Sequence, residues 1–372
     1  MSKTKAADRG RVVVVYQDAS AHRSAHDHET SAAIARMLAG IMGMPYAGEY
    51  DAGAAYATPP YFVPTDTLVG VDRARALGIA SEDDLFGGVV PYPFVATKSI
   101  SHPLVDERAR APDGWSQAFA GDVASVVLRG YTAFDLDDAH RAGIELLRTG
   151  RVRIKRALGI GGHGQDIVRD QRALEGALED ADADEVWRYG IALEEDLDDV
   201  TTYSVGRAKV GDIALAYCGT QRTTRNPRGH DVYAGSDLLV SRGDLAALAA
   251  LELADDAAHA VAHARTYDDA ALRCFDGLVA SRRNYDVVSG SDAAGRLRFG
   301  VLEQSWRVGG ASGAEVAALR AFRDDAALRI VRASSIEAYG EVTPPDDALV
   351  YYRGDDNHGD PLTKYARVER VR

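Results

Sequence analysis

Val152-Arg153-Ile154-Lys155 runs into Gly159-Ile160-Gly161-Gly162-His163-Gly164-Gln165, a basic strand followed by a loop with four glycines in six residues. Glycine accepts φ > 0 and leaves the backbone N–H groups unobstructed, so such a loop can press its amides onto an anion. Alternation along the strand puts Arg153 and Lys155 opposite Val152 and Ile154, and the lysine projects into the space the loop covers. A cation and a nest of amides then converge on one phosphate tail. Three phosphate motifs compete for this stretch. A P-loop needs Lys and then Ser or Thr after its last glycine, and here Gly164 is followed by Gln165-Asp166. Gly159, Gly161 and Gly164 satisfy G-x-G-x-x-G, but a dinucleotide site has an apolar strand before it and an early βαβ unit. A flexible glycine loop over ATP with a lysine beside it meets neither objection. A plain glycine turn without a ligand is the bland alternative.

A second group of residues suits a hard metal ion. Asn284-Tyr285-Asp286 is followed, across the turn Ser289 to Gly295, by Leu302-Glu303-Gln304-Ser305-Trp306-Arg307. Along a strand Glu303, Ser305 and Arg307 share one face, and Asp286 lies on the preceding strand. Two carboxylates and a hydroxyl can therefore meet around Mg²⁺ (or Mn²⁺), an oxygen-seeking ion that keeps contact with substrate phosphates. An exposed acidic edge strand is the competing explanation. Leu193-Glu194-Glu195-Asp196-Leu197 ends an apolar strand and can offer backbone groups and a carboxylate to an adenine edge. Gln221-Arg222-Thr223-Thr224-Arg225-Asn226-Pro227-Arg228-Gly229 reads as a loop of three arginines, suited to a carboxylate or phosphate substrate through bidentate pairing, or simply solvated. His22, His26 and His28 precede a helix without a second ligand group and carry no metal expectation.

The elements that must position these residues follow from periodicity. Arg11 to Tyr16 reads as a buried first strand, and the helical stripe of Ile34, Leu38 and Ile41 follows it. Tyr61 to Val63 is a second strand, with a helix around Val69 to Leu77. The segment 104–126 reads as a linker or connecting helix. Asp137 to Leu147 and Asp170 to Leu178 are helices flanking the basic strand. Ile191 to Glu194, Tyr203 to Val210 and Ile213 to Gly219 are strands. Leu245 to Arg265 and Asp268 to Ser281 read as two alanine-rich helices. Asn284 to Val288 and Leu297 to Ser305 are strands, Ala314 to Phe322 is a helix, and a tail carries strands near Leu349 and Ala366.

With 372 residues, 46% of them hydrophobic, the chain should form two or three globular domains. A net charge of −13 argues against nucleic acid or anionic lipid as the main partner. Cys218 and Cys274 make no disulfide framework, and the Val12 to Val15 run is far too short for a signal-peptide core or a membrane span, so a cytoplasmic protein is expected.

The order of motifs, a basic strand with its glycine loop, a strand ending in Glu, then two carboxylate-bearing strands, resembles the ATP-grasp superfamily. The wording of Phe94-Val-Ala-Thr-Lys98, Tyr203-Ser-Val-Gly206, Gly219-Thr-Gln-Arg222 and Glu303-Gln-Ser-Trp-Arg307-Val-Gly-Gly310-Ala-Ser-Gly is similar to the uncharacterised bacterial domain of unknown function 3182, itself ATP-grasp-like. The resemblance implies an α/β (α+β) chain with the ATP-grasp fold and an N-terminal Rossmann-like α/β domain. The divisions expected are 1–100 for that domain, 101–195 for a linker and the small subdomain with the glycine loop, 196–335 for the large subdomain with the metal site, and 336–372 for a tail. It further implies that Lys98 and Lys155 contact phosphates and that Gly161, Gly162, His163 and Gly164 close over ATP. Glu194 would meet the adenine amino group, with Glu195 and Leu197 as backbone contacts. Asp286, Glu303 and Ser305 would hold the metal. Arg307 would steady the transferring phosphate, and Arg222 and Arg225 would hold the substrate. The superfamily commonly has Asn where Ser305 stands, a ribose-binding Glu where Thr201 and Thr202 stand, and Pro at Arg156. The activity implied is a ligase that couples small-molecule carboxylates to nucleophiles, with a small-molecule kinase or a catalytically weak nucleotide-binding protein as alternatives and a homodimer as an open expectation.

Overall fold

The computed structural model describes residues 10–17, 25–159 and 164–371. Mixed helices and sheets make an α+β fold. The first strand, Val13–Tyr16, is a run of buried valines at the centre of a three-stranded parallel sheet, between Tyr46–Glu49 and Tyr61–Pro64. A strand flanked on both sides and covered on its faces is apolar throughout, as this one is. Helix Ala25–Met42 covers it with Ile34, Ala35 and Leu38, all with no exposed surface.

The basic strand Val152–Arg156 lies in a four-stranded antiparallel sheet, in the order Gly130–Ala133, Ile191–Glu195, Val152–Arg156, Gln165–Val168. Val152 and Ile154 point into a core with Leu146, Leu174 and Leu193. Helices Leu136–Leu147 and Gln171–Glu179 back this sheet, and each begins on an aspartate, Asp135 or Asp170, whose carboxylate accepts from a first-turn N–H.

The third unit is an eight-stranded antiparallel sheet, in the order Leu297–Ser305, Arg282–Ser291, Asp198–Val210, Ile213–Arg225, Asp231–Arg242, Ile330–Tyr339, Pro361–Arg370, Leu349–Asp355. Helix Asp255–Cys274 packs Val261, Ala264 and Tyr267 on one face, against Val205, Tyr285, Val287 and Val301. Helix Ser312–Asp324 packs Val316, Ala318 and Leu319 on the other, with Leu215, Tyr217 and Val240.

The strands expected in the tail, 336–372, join this sheet, with Pro361–Arg370 paired to Ile330–Tyr339 over nine residues. Two expectations are corrected here. The helices expected at Leu245 to Arg265 and Asp268 to Ser281 are a short helix, Leu245–Ala249, and one long helix, Asp255–Cys274. The break falls before the acidic pair Asp255-Asp256, which suits a helix N-terminus, and Tyr267 is core. The expected arginine loop is the end of a long hairpin, turning at Asn226 to His230. The segment 104–126, expected as a linker or connecting helix, does contain a helix, Gln117–Val123, which buries Phe119 and Val123. Among the described residues no helix is long and apolar enough to cross a membrane.

Candidate active site

The site forms where the four-stranded sheet meets the edge strand Leu297–Ser305 of the eight-stranded one. That edge strand carries a bulge. Asp286 pairs with Glu303 and Val287 with Val301, so Leu302 is skipped in the ladder. Unbroken alternation would put residues 299, 301, 303 and 305 on one face. The bulge separates them: Val301 enters the core, and Glu303 turns to stand beside Asp286. It also releases the carbonyl of Leu302, which accepts from Lys155 Nζ at 2.9 Å.

Two buried lysines meet the edge strand at this point. Lys155, 2% exposed, also donates to Glu194 Oε1 at 2.8 Å. Lys98 stands in the short turn Lys98–Ile100, capped by Thr97, whose hydroxyl accepts from Ser99 N; the Lys98 Nζ lies 2.8 Å from Glu303 Oε2 and donates to the Gly159 carbonyl at 2.8 Å. Lys98 thereby links the base of the glycine loop to the carboxylate strand. The loop spans the tip of the hairpin between Val152–Arg156 and Gln165–Val168. Gly161, Gly162 and His163 lie outside the described residues. Gly164 is described, with φ 72°, and its carbonyl accepts from Arg156 N at 2.9 Å.

The two facing carboxylates differ in environment. Burial and the neighbouring Glu303 push Asp286 up to about 6. Burial also acts to raise Glu303, but the ammonium groups of Lys98 and Lys155 overcome it and hold Glu303 below the usual range. Asp286 Oδ1 accepts from Asn284 Nδ2 at 2.9 Å and Ser204 Oγ at 3.3 Å, and Gln221 Nε2 donates to Ser204 Oγ at 3.0 Å. The Tyr217 hydroxyl lies 2.9 Å from Asn284 Oδ1 and also meets Glu315, which forms a buried pair with Arg282 at 2.8 Å. This network fixes Asp286 from below.

An all-oxygen pair whose second charge is resisted by the first suits a divalent cation. Among the described residues no three His, Cys, Asp or Glu side chains cluster as a metal site, so the protein would supply two carboxylates and leave the remaining positions to phosphate and water, the habit of Mg²⁺. Ser305 fits this set poorly. Its Oγ lies 3.3 Å from Nη1 of Arg282, a cation, and the donor set narrows to Asp286 and Glu303. Because Asp286 titrates near pH 6 in the folded protein, a cation bound there should expel roughly half a proton at pH 6 and almost none at pH 8. Titrating Mg²⁺ by calorimetry in two buffers of different ionisation enthalpy measures this. Proton-neutral binding at pH 6 would remove Asp286 from the site.

Other expected residues fall elsewhere. Glu194 is wholly buried, with its oxygens taken by Lys155 and by His102 Nε2 at 3.0 Å. Burial acts to raise its carboxyl, but Lys155 and His102 together bring it down to about 2. Glu195 accepts from Arg298 Nη2 at 3.0 Å. Leu197 is buried with Leu128 and Val288, and Leu302 packs against them, so an apolar patch adjoins the lysines. Arg307 donates to the Val308 carbonyl and lies 3.5 Å from Asp66 of the first unit. Arg222 and Arg225 do not converge on the site. Gln221 faces it, so alternation turns Arg222 to the other face, where its Nε pairs with Asp237 at 3.1 Å; Arg225 is 79% exposed beside Asp231.

The sequence motifs contain Asn284, Ser204, Gln221 and Leu302 without assigning them a role, and His102 stands in none of them. Asn284 was within reach, since it stands two residues before Asp286 on the same strand face. The others depend on which strands pair.

No curated protein matches the chain. The solved structures similar to the chain include two at 12% identity. One is phosphoribosylamine–glycine ligase from Thermotoga maritima, with TM-score 0.49 and 97% of this chain and 92% of that one covered. The other is D-alanyl-alanine synthetase A from Vibrio cholerae O1 biovar eltor str. N16961, with TM-score 0.47 and 80% and 88% covered. The family model described as "Protein of unknown function (DUF3182)" matches residues 13–366, nearly the whole chain, and the protein belongs to that family.

Proposed function

We propose that the chain is an ATP-grasp enzyme that uses Mg·ATP to activate a small carboxylate as an acyl phosphate and passes the acyl group to an amine or another nucleophile. The observation that supports this most is that Lys98 lies 2.8 Å from Glu303, the strand partner of Asp286, while Lys155, from a different element, donates to the adjacent Leu302 carbonyl at 2.9 Å. Lys98 and Lys155 bind phosphate oxygens, exchanging Glu303 and the Leu302 carbonyl for them. The loop from Gly161 to Gly164 covers the phosphates. The patch of Leu197, Val288 and Leu302 takes the apolar face of the base. Asp286 and Glu303 would hold Mg²⁺, which would supply neutralisation of the charge that develops as the phosphoryl group transfers.

In this scheme a carboxylate oxygen attacks the γ-phosphorus and the bond to ADP breaks. The nucleophile then attacks the acyl carbon, phosphate leaves and the amine proton passes to solvent. Positioning and charge neutralisation suffice, and no covalent protein nucleophile is required.

Reaction type is tested by product ratio. With mixtures of carboxylates and amines, a ligase releases ADP and phosphate together only when both are present, and hydroxylamine traps a hydroxamate. Clear turnover that gives ADP without free phosphate would make the protein a kinase. The placement of Ser305 against Arg282 favours a second reading, a nucleotide-binding protein with little turnover. That reading requires a higher unfolding temperature with Mg·ATP but no ADP from any acceptor mixture.

A further inference from the structure

The proposed chemistry does not use His102, yet the ring is 1% exposed and touches Glu194, a fully buried carboxylate beside the site. Its Nε2 lies 3.0 Å from Glu194 Oε2, and the other Glu194 oxygen receives Lys155 Nζ at 2.8 Å. The far side of the ring is closed in. Nδ1 is buried without a hydrogen-bond partner, and the ring lies directly against Gly130, where a Cβ would come within 2.8 Å of both Nδ1 and Cε1. Gly130 is also the residue that pairs with Glu194 in the sheet, so glycine at this register makes room for the imidazole beside the carboxylate. With one ring nitrogen facing a carboxylate and the other facing no donor, the pattern assigns an Nε2–H donor and a bare Nδ1.

We propose that His102 is a positioning residue for Lys155, acting through Glu194; this rests on the reading of Lys155 as a phosphate-binding group. A carboxylate in an apolar interior needs a donor on each oxygen. His102 occupies Oε2, which leaves Oε1 alone to hold the ammonium and keeps Nζ directed at the cleft. Without His102, both oxygens turn to the ammonium and draw it back from the phosphates. His102 stands four residues after Lys98, so one short segment presents one lysine directly and orients the other.

The test compares His102→Leu, which removes the donor, with His102→Gln, whose amide can restore it. Mg·ATP affinity is measured by calorimetry well below the unfolding temperature of each variant, and ring nitrogen shifts are read by NMR in the wild type. The expected results are an Nε2–H tautomer, a loss of affinity of about tenfold in the leucine variant, the scale of one charge-assisted contact, and recovery of most of it in the glutamine variant. Wild-type affinity in the leucine variant, or an Nδ1–H tautomer, would overturn the proposal and leave His102 as packing. If the wild type itself fails to bind Mg·ATP, the nucleotide reading fails. The link from His102 to Lys155 is then judged by the Lys155 ammonium resonance, which must shift in the leucine variant and return in the glutamine variant.

Discussion

Asp286→Asn should yield a protein that is more stable than the parent above pH 7 and nearly devoid of ATP turnover. In the folded chain, burial and Glu303 hold Asp286 up at about 6, against a usual value of 3.8. A carboxyl whose folded value is raised is favoured in its protonated form, so its ionisation weakens the fold as pH rises from about 4 through about 6. The amide keeps the volume and removes that penalty. The unfolding temperature of the apo variant should exceed the parent's by a few degrees at pH 8 and match it at pH 4, the trade expected where a site holds unfavourable charge for its function. Turnover should drop by roughly three orders of magnitude, because the position that neutralises the developing phosphoryl charge is lost. Glu303→Gln should lose turnover to a similar degree. Its stability should change little, since the side chain is 35% exposed and Lys98 keeps the Gly159 carbonyl. Full activity in both variants would remove the pair from the chemistry. A lower unfolding temperature for Asp286→Asn at pH 8 would show that the carboxylate is a structural anchor.

The unequal legibility of this site has a physical origin. Val13 to Val15 and the stripe of Ile34, Leu38 and Ile41 announce their elements because burial on defined faces fixes the residue type. Lys155 was readable too: strand alternation puts it opposite Val152 and Ile154, and that is how it emerges from the core. Glu303 could be paired with Asp286 from the turn between their strands, but not its facing. Alternation counted from Val301 would send Glu303 into the core, and only the bulge at Leu302 reverses this. A bulge is a property of pairing and leaves no mark in a single strand's pattern. The arginines failed for a related reason. The stretch Gln221 to Gly229 reads as a loop, whereas pairing with Asp231–Arg242 extends the strand to Arg225 and turns Arg222 to the far face. His102 gives no local signal, because its partner stands 92 residues away.

Lys155→Met should reverse the pH dependence of stability that the wild type draws from Glu194. In the wild type burial raises Glu194, but Lys155 and His102 outweigh it and hold the group at about 2, against a usual value of 4.5. A depressed carboxyl contributes stability that is fully present above about 4.5 and is lost as pH falls toward about 2. Methionine fills the space of the lysine stem and leaves the carboxylate without its cation. Breaking a buried pair from one side costs on the order of 3 to 5 kcal/mol at neutral pH. Burial then dominates, the Glu194 carboxyl rises above its usual value, and protonation relieves the orphaned charge. The gap in unfolding temperature between wild type and variant should therefore be widest at pH 7 to 8 and narrow steadily toward pH 4. A gap that stays constant with pH would mean that Lys155 contributes packing and not charge. Adding Glu194→Gln to Lys155→Met should recover much of the lost stability, since removing both charges leaves neither unpaired. Mg·ATP affinity should remain weaker than wild type by at least about an order of magnitude in both the single and the double variant, because the contact to phosphate comes from the ammonium itself. Stability restored without affinity would separate the two roles of Lys155, one toward Glu194 inside the sheet and one toward the cleft. If the double variant regained affinity as well, the lysine would serve the fold alone, and the phosphate contacts would have to come from Lys98 and the glycine loop.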